Sequence, residues 1–162
     1  MKRPVIAVLT LVLSLGPARS ALGQEMIGDF YLFERGDAAT GEDRSSITTL
    51  ADESWVSGSG GLTLQCSAAG LELVVSATYM GRRLSTPVRY AFGEEPPHAA
   101  SWSLRSTGMA AIAPSEVRDA FLARAVNEDS VKVRVTDFQL RGYTYTFHLG
   151  SLEEALAHLS CR

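Results

Sequence analysis

The strongest constraint in this sequence is an alternation of apolar and polar residues that recurs along the chain. Val131, Val133 and Val135 alternate with Lys132, Arg134 and Thr136. Tyr143, Tyr145, Phe147 and Leu149 alternate with Thr144, Thr146 and His148. Val88, Tyr90 and Phe92 alternate with Arg89 and Ala91. A period of two sends successive side chains to opposite faces, as in a strand with one face on the core and one in water. Leu62, Leu64 and Cys66 repeat the pattern, as do Leu71, Leu73, Val75 and Ala77 except for the apolar Val74 between them. Trp102 and Leu104 flank Ser103 and lead to Arg105. Phe30 to Glu34 and Ser46 to Leu50 carry a weaker version. Half-buried strands of this kind suit an antiparallel sheet. Turn residues separate them: Gly58-Ser59-Gly60-Gly61, Ala68-Ala69-Gly70, Gly81-Arg82-Arg83 as a hairpin tip, the Gly93–His98 loop with Pro96-Pro97, and Leu140-Arg141-Gly142.

Two stretches switch to helical spacing. Val117, Ala120, Phe121 and Ala125 mark a helix within Pro114 to Asn127, and Leu152, Ala155, Leu156 and Leu159 mark another over Ser151 to Leu159. Ser151-Leu152-Glu153-Glu154 reads as a capping box at the start of the second. The expected architecture is therefore mainly β, of the α+β kind. It is an antiparallel β-sandwich or barrel-like sheet with two short helices, one at the C-terminus. A single domain is expected over residues 24–162, long enough to bury ~70% of its unfolded surface.

The chain opens as an export signal does. Lys2 and Arg3 precede an apolar run from Val5 to Leu15, and small residues follow. Cleavage is expected after Ser20 or Gly23, giving a signal peptide over 1–23 and a periplasmic or secreted product. The run has eleven residues, against the ~20 that a bilayer span needs. No second run is longer, so no transmembrane segment is expected. The whole chain has 15 basic and 18 acidic residues, a net charge of −3. Removing Lys2, Arg3 and Arg19 with the leader leaves 12 against 18, a net of −6. Nucleic acid is not an expected partner, because its binders carry a basic excess.

Export bears on the two cysteines, Cys66 and Cys161. Thiols pair in oxidising compartments. Cys66 ends an apolar alternation and should face the core. Cys161 follows the last helix. Metal binding would call for CxxC or a nearby His, and a reactive thiol for a polarising neighbour. The sequence offers neither, so a Cys66–Cys161 disulfide is expected.

No catalytic residue, metal site or cofactor is expected. His98, His148 and His158 have neither HxH nor HExxH spacing. Ser57-Gly58-Ser59-Gly60-Gly61 is not GxSxG and leads into a strand rather than a helix. Glu94-Glu95 and Glu128-Asp129 are neighbours in sequence, which does not make them a facing catalytic pair. One surface stands out. Arg89, Arg105, Lys132 and Arg134 all fall on outward positions, and on neighbouring strands they would form a cationic patch able to hold a carboxylate or phosphate. Trp55 and Arg82-Arg83 are further exposed candidates.

The order of these features resembles the TagO/VasI family, periplasmic proteins associated with type VI secretion. The resemblance lies in Leu62-Thr-Leu-Gln-Cys66, Val88-Arg-Tyr-Ala-Phe92, Trp102 followed by Ser106-Thr107-Gly108, Phe121-Leu122 and Val131-Lys-Val-Arg-Val135. It closes with Phe147-His-Leu-Gly-Ser-Leu152, Ala155-Leu156 and Cys161. It spans roughly residues 28–162. Phe30-Tyr31 stands where the family has an aromatic-centred strand, and Arg44-Ser45-Ser46 departs from the family's asparagine-bearing approach to a strand. The resemblance implies an exported β-rich accessory protein with one disulfide and no enzymatic activity, and it brings no binding residues with it. The expected function is thus a non-enzymatic accessory or interaction protein of the bacterial envelope. Its partner would be an envelope or secretion-apparatus protein, with type VI secretion as the specific version. The alternative is a stand-alone periplasmic binding module or inhibitor that recognises a small anionic ligand or a hydrolase.

Overall fold

The computed structural model describes residues 25–37, 39–52 and 60–162. The expected leader, Trp55 and the turn residues Ser57 to Ser59 lie outside them. The strands are β1 (Glu25–Ile27), β2 (Phe30–Phe33), β3 (Ser46–Leu50), β4 (Gly61–Ser67), β5 (Gly70–Ser76), β6 (Ser85–Phe92), β7 (His98–Leu104), β8 (Ala110–Ile112), β9 (Ser130–Thr136) and β10 (Gly142–His148). The helices are α1 (Ser115–Ala125), between β8 and β9, and α2 (Leu152–Leu156), after β10.

All ten strands join one antiparallel sheet in the order β1-β2-β3-β4-β5-β8-β7-β6-β9-β10. The chain meanders as far as β5 and then skips. Strand β5 pairs with β8, so β6, β7 and β8 are laid down in reverse order across the sheet. Gly81-Arg82-Arg83 is therefore not a hairpin tip but part of the connection that crosses the sheet end from β5 to β6. That connection is anchored from within. Met80 is fully buried and its N–H donates to the carbonyl of Gly108. The Arg83 guanidinium donates to the carbonyls of Met80 and Asp137. The far edge then curls round. Ala51, just after β3, bridges to Phe147 on β10, and the Asp52 N–H donates to the Thr146 carbonyl. Of the two expected forms, the barrel-like one describes this curl.

The inward faces fill the curl as the alternation requires. Val88, Tyr90, Phe92, Trp102, Val131, Val133, Val135, Tyr145 and Phe147 are buried, with Leu62, Leu64, Leu73 and Val75 from β4 and β5. Tyr143 is half-buried rather than inside. Helix α1 lays Phe121 against Tyr90 and Phe92, at ring-centroid distances of 5.3 and 5.2 Å. Its Ala120 is exposed. Helix α2 buries Leu152, Ala155 and Leu156, and Leu159 continues that apolar stripe.

The expected disulfide is present. Cys66 and Cys161 are bonded with a Cα–Cα distance of 5.6 Å. Beside it, Asp43 accepts hydrogen bonds from the Ser160 hydroxyl at 2.6 Å and its N–H at 3.2 Å. The Ser45 N–H donates to the same carboxylate. Side-chain bonding from Ser160 is the main reason the Asp43 carboxyl is held low, at about 2. The expected capping box is not formed. Ser151 takes a left-handed conformation, φ +64, and its side chain makes no cap hydrogen bond. Tertiary contact sets the entry to α2 instead. The Asp29 carboxylate accepts the Gly150 N–H at 2.8 Å, and the Asp29 N–H donates to the Gly150 carbonyl. Gly28 lies so close that a Cβ there would fall 2.4 Å from the Gly150 oxygen. A local hydroxyl cap loses to this two-sided clamp from the β1–β2 turn.

Candidate functional site

The outer face of β7-β6-β9-β10 brings three of the four candidate cations together. Arg89 on β6 is the register partner of Arg134 on β9, and Ala91 is the partner of Lys132. Directly opposed residues have Cβ atoms ~4.5–5.5 Å apart and diagonal ones ~7–8 Å. Arg89, Lys132 and Arg134 thus form one triangle, and all three are exposed. On the far side of β9, Thr144 and Thr146 of β10 pair with Arg134 and Lys132. The Arg134 side chain lies down across β10: a Cβ on Gly142 would sit 2.5 Å from its guanidinium nitrogens. Glycine at 142 is what lets the arginine rest there.

Arg105 does not belong to this group. It lies beyond the end of β7, on the other side of the sheet's reversed segment, and binds the Glu72 carboxylate on β5 at 3.2 Å. Gln65 donates to the same Glu72 oxygen. Sequence reasoning placed Arg105 outward correctly, but not next to β9, because neighbourhood in a sheet is set by strand order.

What sets the triangle apart is the direct opposition of like charges across β6 and β9, since among the described residues Arg35, Arg82, Arg83 and Arg162 are also without a carboxylate in ion-pair distance. Arg44, Arg105, Arg118, Arg124 and Arg141 each have a carboxylate within 3.4 Å. Among the described residues, no carboxylate is within ion-pair distance of Arg89, Lys132 or Arg134. Their outward neighbours are small or hydroxylic: Pro87, Ala99 and Ser101 flank the β6 side, and Thr136 and Thr144 the β9–β10 side. Two facing guanidinium groups with no counter-ion repel each other modestly in water. They offer two planar forks to any carboxylate or phosphate that reaches the sheet.

The other candidate groups are held in structural contacts. His148 Nε2 lies 3.0 Å from an Asp52 carboxylate oxygen. His98 stacks on Tyr90 with centroids 5.2 Å apart. Burial pushes the Tyr90 phenol up. Glu95 and Glu128 both bind Arg124 rather than each other. Among the described residues Asp137 is the most buried carboxylate, 1% exposed. Burial pushes its pKa up, but the amides of Arg141 and Gln139 and the Arg141 guanidinium together hold it below the usual carboxylate range. It closes the β9–β10 turn. Among the described residues no three His, Cys, Asp or Glu side chains come together to hold a metal ion. No helix there is long and apolar enough to cross a membrane.

Fold and site together define a curled antiparallel β domain, locked by one disulfide, that presents unpaired cations on an open sheet face. Among solved structures, the chain is similar to the crystal structure of invasion associated protein B from Bartonella henselae. The match has a TM-score of 0.56 and 14% sequence identity, and it covers 82% of this chain and 91% of that one. At that identity the likeness is one of fold. No family model and no curated protein matches the chain.

Proposed function

We propose that this protein is a non-catalytic, exported accessory protein of the bacterial envelope, which docks on an acidic partner protein through Arg89, Lys132 and Arg134. The observation that carries the reading is the opposed, unpaired Arg89–Arg134 pair in a chain whose net charge is negative. A surface optimised only for solubility and stability would intersperse charges and avoid directly opposed like ones. Two further points support the compartment: the leader-like opening of the sequence, and a disulfide of the kind that persists in oxidising environments. The fold-likeness to a protein named for its association with invasion fits a role at the cell envelope. The type VI secretion apparatus is the first assembly to test, on the strength of the TagO/VasI resemblance.

Affinity capture of the exported protein after crosslinking in cells tests the proposal. Native protein should retain an envelope protein that the Arg89→Glu/Arg134→Glu variant loses. Equal capture by both refutes the docking face. The guanidinium forks also favour a second reading, a small carboxylate or phosphate ligand. That reading predicts a rise in melting temperature with a small anion, abolished by the same variant, and no protein partner.

A further inference from the structure

One end of the curled sheet has a different surface. Three connections meet there: residues 77–84, 105–109 and 137–141. They are bound into one unit. The Ala77 N–H donates to the Met109 carbonyl, Met80 to Gly108, Phe138 to Tyr79, and Leu104 to Leu84. The Tyr79 and Phe138 rings pack in a tilted arrangement, with centroids 5.5 Å apart and planes at 53°. From this unit large apolar side chains stand outward. Leu84 is 92% exposed, Leu140 74%, Phe138 56% and Met109 53%. Leu84 in particular is too exposed to line any groove.

The tips are held rather than loose. Leu140 sits at φ +66, a left-handed conformation uncommon for a residue with a Cβ. Such strain persists only where surrounding contacts over-determine it. Here they do: buried Asp137 accepts the N–H groups of Gln139 and Arg141, and its own N–H donates to the Arg141 carbonyl. The fold thus fixes a leucine in an outward, strained position.

The charge of this end is one-sided. The three connections contain Arg82, Arg83, Arg105 and Arg141, of which Arg105 reaches away to Glu72 on β5, so that Arg82 and Arg83 are the two with no carboxylate within ion-pair distance among the described residues. Their single carboxylate, Asp137, is buried and bound to Arg141. Rigid apolar tips with an aromatic pair, flanked by the uncompensated charges of Arg82 and Arg83, suit a surface that is soft and apolar beneath and anionic at its face. A protein partner would need pockets for several projecting knobs, whereas acyl chains part around them.

We propose that this end of the molecule docks on an anionic lipid surface, with Leu84, Phe138 and Leu140 entering the acyl boundary and Arg82 resting among the lipid phosphates. This leaves the Arg89–Lys132–Arg134 face free at the side of the docked molecule. The two proposals rest on different residues and fail separately.

Sedimentation with vesicles tests it. Purified oxidised protein should sediment with vesicles of phosphatidylcholine mixed with phosphatidylglycerol, and far less with phosphatidylcholine alone. The Leu84→Ser/Leu140→Ser variant should lose at least about tenfold in partitioning, since each buried leucine is worth that much or more. Arg82→Ser should lose about fivefold, and added salt should mimic it. Both leucines are exposed in the free protein, so the melting curve of the variant should match the native one. If that variant does not fold, Leu84→Trp supplies the test: its fluorescence should shift to the blue on adding anionic vesicles. The proposal fails if native protein ignores anionic vesicles, or if the two-leucine variant binds them as native does. It also fails if these leucines prove to drive only self-association, seen as a dimer by sedimentation velocity.

Discussion

Reduction of the Cys66–Cys161 bond should cost the protein a large part of its stability. The bond closes a separation of 95 residues, and for a loop near that length chain-entropy estimates give about 4–5 kcal/mol. Native strain and residual structure in the reduced chain bring the expected loss to about 3–4.5 kcal/mol. Domains of this kind have about 5–15 kcal/mol in all. The unfolding entropy of some 140 residues is about 0.3 kcal/mol per degree, so the loss corresponds to a fall in Tm of about 10–15 °C. The assay is a pair of thermal melts followed by circular dichroism, oxidised and fully reduced, with thiol titration to confirm the redox state. Urea titration adds a second check: the reduced denatured chain is less constrained, so its m value should rise. The effect should start locally, because Cys161 and Ser160 together hold the C-terminus to β4 and to Asp43. A fall in Tm of less than about 3 °C on complete reduction would refute the chain-entropy account.

Three further outcomes follow from the same structure. The Asp43 carboxyl titrates at about 2 in the folded protein against an ordinary 3.8. A lowered folded value contributes stability in full above the ordinary pKa and loses it as pH falls toward the folded one. Stability should therefore fall between pH 4 and 2, and Asp43→Asn should flatten that part of the profile in urea titrations at stepped pH. Arg134→Glu places opposite charges across β6 and β9 in place of two like ones, so it should raise stability by about 0.2–1 kcal/mol in low salt while removing the docking activity. Loss of stability would contradict the assigned register and exposure. Thr86 and Trp102 face each other inside the sheet, and among the described residues neither the Thr86 hydroxyl nor the Trp102 indole N–H has a hydrogen-bond partner. Thr86→Val should thus be neutral or stabilising by up to about 1 kcal/mol in chemical denaturation, whereas a loss beyond about 1 kcal/mol would mean that the hydroxyl is bonded.

Much of the fold was legible because burial imposes a period. Strands β6, β9 and β10 each bury a row of large side chains on one face, and their alternation extends over five or more residues. Strands β1 and β8 were not legible, being three residues long, too short to show a period. The first half of β7, His98-Ala99-Ala100-Ser101, carries no large inward side chain and reads as loop. The β5-to-β6 connection misled for another reason. Glycine and arginine mark a turn locally, but whether the strands on either side pair is decided by β8, thirty residues further on. The capping box had the right residues, and the β1–β2 turn overrode it from outside the local sequence.

The site divides in the same way. Outward orientation of the four cations follows from period two. That Arg89 faces Arg134 while Arg105 pairs with Glu72 follows only from strand order and register. The apolar end escaped the sequence reading altogether, because single apolar residues in turns have no periodicity to betray them. A usable signal was present in Arg82-Arg83-Leu84 and Phe138-Gln139-Leu140-Arg141, where large apolar residues sit beside arginine in segments that must be loops.

The central claim is that the β6–β9 face engages an acidic protein of the envelope. The most direct measurement places a photocrosslinking residue at Ser101, on the neighbouring strand β7, in cells that export the protein. The account predicts an adduct with an envelope protein, lost when Arg89 and Arg134 are changed to Glu. An adduct that survives that change, or no adduct from this face while other surfaces crosslink, would contradict it.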